Sequence, residues 1–139
     1  MVFDILGYIT KCPHLKSYVT NVDFLGKNPY SLSVGGVPEN KTVKEYTDGD
    51  QLMESTFSLR LRLPYGIESQ NNINNSKLIK NVTDWFLKNN ERGILPELSA
   101  DKIPISVTCN FLQDKVTYLA DTVIFAADIT VLYYKTKSL

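Results

Sequence analysis

The chain is short of the residues that most often announce chemistry. Among 139 residues there are two cysteines, one histidine, one tryptophan, three arginines and only four alanines. Cys12 and Cys109 cannot build a disulfide framework. Val2, Phe3 and Asp4 after Met1 form no basic n-region, so no secretory signal and two reduced thiols are expected. Neither sign of charge is in excess. Fifteen Lys+Arg face 15 Asp+Glu, with 7 basic and 8 acidic groups in residues 1–70 and 8 and 7 in residues 71–139. That balance excludes the basic footprint of a duplex or RNA binder. The longest unbroken apolar run, Val123 to Ala127, has five residues, against the ~20 of a membrane-spanning helix. No membrane partner is expected.

What the chain does have is core material and pattern. Apolar residues make up 43% of it, enough for one compact domain over residues 1–139. Val2, Phe3, Ile5, Leu6, Ile9 and Cys12 form a helical stripe over residues 1–12, ended by Pro13. Residues 18–25 fit strand or loop. Residues 26–42, with Gly26, Pro29, Gly35, Gly36 and Pro38, read as loop interrupted by a short strand from Tyr30 to Val34. Val43–Tyr46, a two-residue Asp48-Gly49 turn and a return strand form a hairpin. In the return strand Phe57, Leu59, Leu61 and Leu63 face one side, and Ser58, Arg60 and Arg62 the other.

Residues 67–76 read as an Asn-rich linker, with Asn75 or Ser76 capping a helix whose stripe is Leu78, Ile79, Val82, Trp85 and Phe86. Gly93 is the natural residue past its end, and Pro96 prevents resumption. Ile103, Ile105, Val107, Cys109 and Phe111 alternate as one face of a strand. After a break near residues 113–115, Val123, Phe125, Ala127, Ile129, Val131 and Tyr133 line one face of a last strand. The order of helix, strands, helix, strands predicts an α+β fold, a mainly antiparallel sheet with two helices packed on one face. The strands near 51–63 and 122–134 are unusually long. Either a bulge or bend splits each run, or a ribbon projects from the body and pairs with a neighbouring subunit.

The search for chemistry is mostly negative. Cys12 and His14 are close in sequence, but Cys12 lies on the apolar stripe and reads as core. Cys12, His14 and Cys109 lack the paired spacing of a zinc site. Gly35-Gly36 lacks the phosphate-loop pattern. Counting from Asp48, the twelfth residue is Leu59 where a calcium loop needs Glu. Asp84 and Glu91 form no convincing acid/base pair. No enzyme, cofactor or metal is expected, and Trp85 reads as core. Arg60 and Arg62 share one face of one strand. A solvated sheet face is one reading. An inter-subunit contact is the other, with Asp128 on the last strand as a conceivable partner.

Three segments carry a resemblance: Val43-Lys-Glu-Tyr46-Thr-Asp48-Gly49; Phe57 to Gly66, ending in Tyr65-Gly66; and Asn72-Ile73-Asn74-Asn75-Ser76, followed by Trp85 and then Gly93-Ile94-Leu95-Pro96-Glu97-Leu98. In that order and spacing, over about residues 30–136, they resemble the small phage minor capsid proteins that act as tail terminators in phages and prophages of Gram-positive bacteria. The first 29 residues carry little of the resemblance. It implies a structural virion protein at the tail–neck junction, assembled in the host cytoplasm. It would form a ring, usually a hexamer, that caps the tail tube, stops its polymerisation and joins the head–neck complex. The implied partners are further copies of the chain, the tail tube protein, a head-completion or neck protein, and sheath protein if the tail is contractile. DNA would pass through the lumen without specific binding. The family brings no catalytic residues. The alternatives are another neck protein, such as a head-completion or adaptor protein, or a small ligand-binding or enzymatic domain using a pocket beneath the 26–42 loop.

Overall fold

A computed structural model describes residues 1–35, 38–66 and 69–137. The fold is α+β. Two helices, α1 (Val2–Ile9) and α2 (Ser69–Glu91), accompany a mainly antiparallel sheet of seven strands. These are β1 (Val19–Val22), β2 (Ser31–Val34), β3 (Glu39–Glu45), β4 (Gln51–Pro64), β5 (Lys102–Phe111), β6 (Thr117–Tyr118) and β7 (Thr122–Lys135). The path across the sheet is β1-β2-β4-β7-β5. β3 pairs the first half of β4, and β6 pairs the start of β7. Only β1 and β2 run parallel.

The centre of the sheet is the β4–β7 pair. Its register runs without interruption from Gln51↔Lys135 to Pro64↔Thr122. At ~3.3 Å per residue, 14 residues extend about 46 Å. That is long beside the radius of gyration of about 14 Å expected for a chain this size. Neither long strand is split. The bulges lie instead in the flanking strands, between Thr42 and Lys44 of β3 and between Pro104 and Ser106 of β5. The ribbon is not bare either, because β3 covers one of its edges and β5 the other.

Strict alternation along the ladder sorts side chains onto two faces. Phe57, Leu59 and Leu61 of β4 face inward with Ala127, Ile129, Val131 and Tyr133 of β7, and Leu32 and Val34 of β2 extend the same row. Ile5, Tyr8 and Ile9 of α1 and Val82 and Phe86 of α2 join them in one buried cluster. The helix expected over residues 1–12 stops at Ile9, short of Pro13, and Cys12 lies beyond its end but is buried as expected. Phe3, assigned to that stripe, is instead 73% exposed, and Tyr8 takes the core position. Its hydroxyl donates to Ile94 O (2.7 Å), and its ring lies 5.0 Å from Trp85 and 5.9 Å from Phe86.

Four other sequence expectations are corrected. The supposed linker is helix from Ser69 onward, with residues 67 and 68 outside the described residues. Asn75 is therefore no cap. It sits inside α2, buried, and its amide nitrogen donates to Pro64 O (2.7 Å). A polar segment becomes helical because Asn75, Val82 and Asn89 recur at intervals of seven on the buried face. Residues 39–42, read as loop, form the start of β3, a wholly exposed strand held by its pairing to β4. The turn has three residues rather than two: Tyr46 N donates to Asp50 O and Gly49 N to Tyr46 O, with Gly49 at φ +93°. Finally, the alternation of β5 breaks at its bulge. Val107 and Cys109 are buried, whereas Ile103 and Ile105 are 53% and 46% exposed.

The end of α2 matches its sequence signal. Gly93 (φ +71°) donates to Asn90 O, and Ile94 N reaches back to Asn89 O (2.8 Å), a Schellman closure. Phe86→Ala is expected to cost about 3–5 kcal/mol, since its ring is fully buried. Trp85→Ala should cost less, because Trp85 is only half-buried at the rim of the cluster. Urea unfolding of both variants checks the order.

Candidate interaction surface

The outer face of the ladder carries Arg60, Arg62 and Asp128. Arg62 pairs Ile124 and Ser31, Arg60 pairs Ala126 and Ser33, and Asp128 lies between Ser58 and Asn110. Arg60 and Asp128 are therefore diagonal neighbours on one face. No ion pair joins either arginine to Asp128 among the described residues.

The two arginines do different things. Arg62 is tied within the chain: its Nε donates to Gly26 O (2.8 Å) and its Nη1 to Thr122 Oγ1 (3.0 Å). It thereby clamps the 23–30 segment over the end of the sheet. The approach is close, since a Cβ on Gly26 would fall 2.7 Å from Ser31 Oγ. Ser31 and Ser33, on the outer face of β2, are buried as a result. Arg60 is half-buried and lies beside a field of mainly polar residues. Thr108, Thr130 and Thr56 form one cross-strand row of that field, and Asn110, Asp128 and Ser58 the next.

The opposite end of the ladder is fastened by Asp50. Its carboxylate accepts from the Tyr134 hydroxyl (2.6 Å) and the Lys137 amide (2.7 Å). These hydrogen bonds hold the Asp50 carboxyl below its ordinary value and push the Tyr134 hydroxyl up to about 12. Tyr46 stacks 5.7 Å from Tyr134, with Lys44 Nζ 5.1 Å from the Tyr46 ring. Asp48 and Asp50 thus act as turn residues, and Asp48 Oδ1 accepts the Asp50 amide.

Several cavities border α2, and two of them, of about 390 and 320 Å3, adjoin. Ser76 and Phe125 line both, which makes them one groove between the first half of α2 and the strands. The groove is one place where a side chain or ligand could enter. Burial pushes the Cys109 thiol up to about 12 and raises that of Cys12, so both are protonated and poorly nucleophilic. His14 is exposed while Cys12 is buried, so the two do not form a nucleophile pair. Among the described residues no group of three or more His, Cys, Asp or Glu could hold a metal ion, and no helix is long and apolar enough to cross a membrane. The groove and the exposed isoleucines of β5 escaped the sequence reading, because a bulge leaves no local signal in an alternating strand.

No protein-family model matches this chain, and no curated protein matches it significantly.

Two predictions follow from the hydrogen bonds. Arg62→Ala removes two charge-assisted bonds and should destabilise the fold by about 1–3 kcal/mol in chemical unfolding. The Asp50 tie is fully present above the ordinary carboxylate pKa of ~4 and is lost as pH falls through the lowered native value. The stability gap between the wild type and Asp50→Asn should therefore shrink below about pH 4 in acid-unfolding curves.

Proposed function

We propose that this chain is a subunit of the ring that terminates a phage tail tube, a virion protein rather than an enzyme. The resemblance of the three ordered segments suggests the reading, and one observation carries it: the outer face of the long ladder, where both signs of charge are interspersed among polar residues. Over its middle rows that face offers Thr56, Ser58, Thr108, Asn110 and Thr130 with Asp128 and Arg60, and towards β3 it adds Glu39 beside Thr56 and Lys41 opposite Glu54. Phosphate-driven binding grows with each Lys or Arg that meets the backbone. A surface whose cations are matched by carboxylates favours passing DNA over holding it. Such a face suits the bore of a closed ring of head-to-tail contacts, a hexamer as in the family that the chain resembles. The tube protein would lie on one side and a neck protein on the other, with sheath protein outside a contractile tail.

The reading fixes where the chain should be found and what its loss should do. Cryo-EM of the virion neck should place it on the last ring of the tube. Without the chain, tails should grow to uncontrolled length and fail to join heads. Tails of normal length carrying heads would refute the proposal.

A further inference from the structure

We propose that the isoleucine bulge of β5 docks into the α2 groove of a second copy of this chain, making the head-to-tail contact of the ring. The proposal rests on the ring reading above and names its interface. On the outer face, Ile103 pairs Tyr134, which in turn pairs Leu52. Ile105 is the extra residue at the bulge, beside Leu132. The two isoleucines are 53% and 46% exposed, and Pro104 stands between them. The protruding stretch Ile103-Pro104-Ile105-Ser106 bears no charge.

The groove that would receive it is equally uncharged. Ile79, Cys109, Phe111, Leu112, Val116 and Phe125 supply its apolar lining, and its volume of about 390 Å3 is ample for two branched side chains. Polar lining comes from serine, threonine, asparagine and glutamine, with no carboxylate or ammonium group among the described lining residues. An uncharged, apolar occupant is therefore favoured over a charged ligand, since an ion entering this groove would lose hydration without a counter-charge.

The chain cannot fill its own groove. Ile105 lies on the outer face beside Leu132, whereas the groove residues Cys109, Phe111 and Phe125 belong to the inner face, with Phe125 seven positions further along β7. The bulge is what separates knob and groove, because it turns Ile105 outward while Val107 and Cys109 keep facing in. A knob and a pocket at different places on one molecule make a heterologous contact.

Strand addition is a poor competitor. The β5 edge holds Pro104 and a bulge, and Val107 N is already bonded to Asn90 Oδ1 (2.9 Å). β3 is charged and also bulged. Two half-exposed isoleucines fall well short of the ~800 Å2 per partner of a stable interface. The contact is consequently weak in solution and gains strength only when a tube end holds neighbouring copies together.

Site-directed cross-linking tests this. Ile105→Cys and Gln113→Cys are both exposed substitutions, the second at the rim of the groove. The native thiols are buried and protonated, so a short bis-maleimide should reach only the new ones. Mixing the two single variants should give a 105–113 cross-linked pair, identified by mass spectrometry. The double variant should give a ladder beyond the dimer. Adding Ile103→Asp should lower the yield at least tenfold, with circular dichroism unchanged. A 105–105 product, a ladder that stops at the dimer, or no 105–113 product would overturn the contact. The last result would also mean that the groove serves another occupant. These outcomes are separate from the neck location and tail-length tests, which can succeed with a ring built through other surfaces.

Discussion

The continuous pairing of β4 with β7 is the constraint from which the rest of the structure follows. Fourteen residues of each strand remain in register, so every inward position along β4 has an inward partner on β7. A slip by one residue would turn Phe57, Leu59 and Leu61 out to solvent and bring Ser58, Arg60 and Arg62 into the core. The apolar residues of both strands therefore hold the register, and the register in turn positions everything attached to it. β2 and β3 share one edge of β4 end to end, while β5 and β6 share the far edge of β7.

A ladder this long needs fastening at both ends, and different chemistry does it at each. At one end Asp50 gathers the Tyr134 hydroxyl and the Lys137 amide, joining the hairpin turn to the last strand. At the other, Arg62 joins the 23–30 segment to Thr122, and Asn75 of α2 bonds the carbonyl of Pro64 where β4 ends. Polar side chains that composition alone would assign to solvent thus act as internal ties, each satisfying a backbone or side-chain group at a strand end. Between these ends the outer face mixes threonine, serine and asparagine with charges of both signs, the property that the proposed DNA-passing bore would use.

The bulge in β5 shows how a local irregularity changes the surface chemistry of the whole. Without it, Ile103 and Ile105 would continue the row of Val107 and Cys109. One extra residue places them on the opposite side, exposed, while the groove beside α2 stays partly empty. The bulge in β3, a strand exposed along its whole length, makes its outer edge a poor template for pairing. Bulges in both flanking strands leave the central ladder regular and discourage edge-to-edge aggregation.

Much of this was already written in the local pattern. Period-two alternation identified β4 and β7 and their inward faces, because alternation is a property of the strand itself. Gly93 marked the end of α2, since a left-handed residue is needed there wherever the helix packs. Cys12 on an apolar stripe foretold a buried thiol. Tertiary structure decided the rest. The Asn-rich segment became helix because Asn75 found Pro64 O and Asn89 lay on a buried face, partners more than ten residues away in the first case. β3 became a strand only because β4 offered it an edge. Arg60 and Arg62 look alike in sequence, yet one carbonyl on Gly26 makes Arg62 a clamp and leaves Arg60 facing the polar field. Periodicity carries information about a residue's own element, whereas bulges, ties and grooves arise from what a second element places beside it.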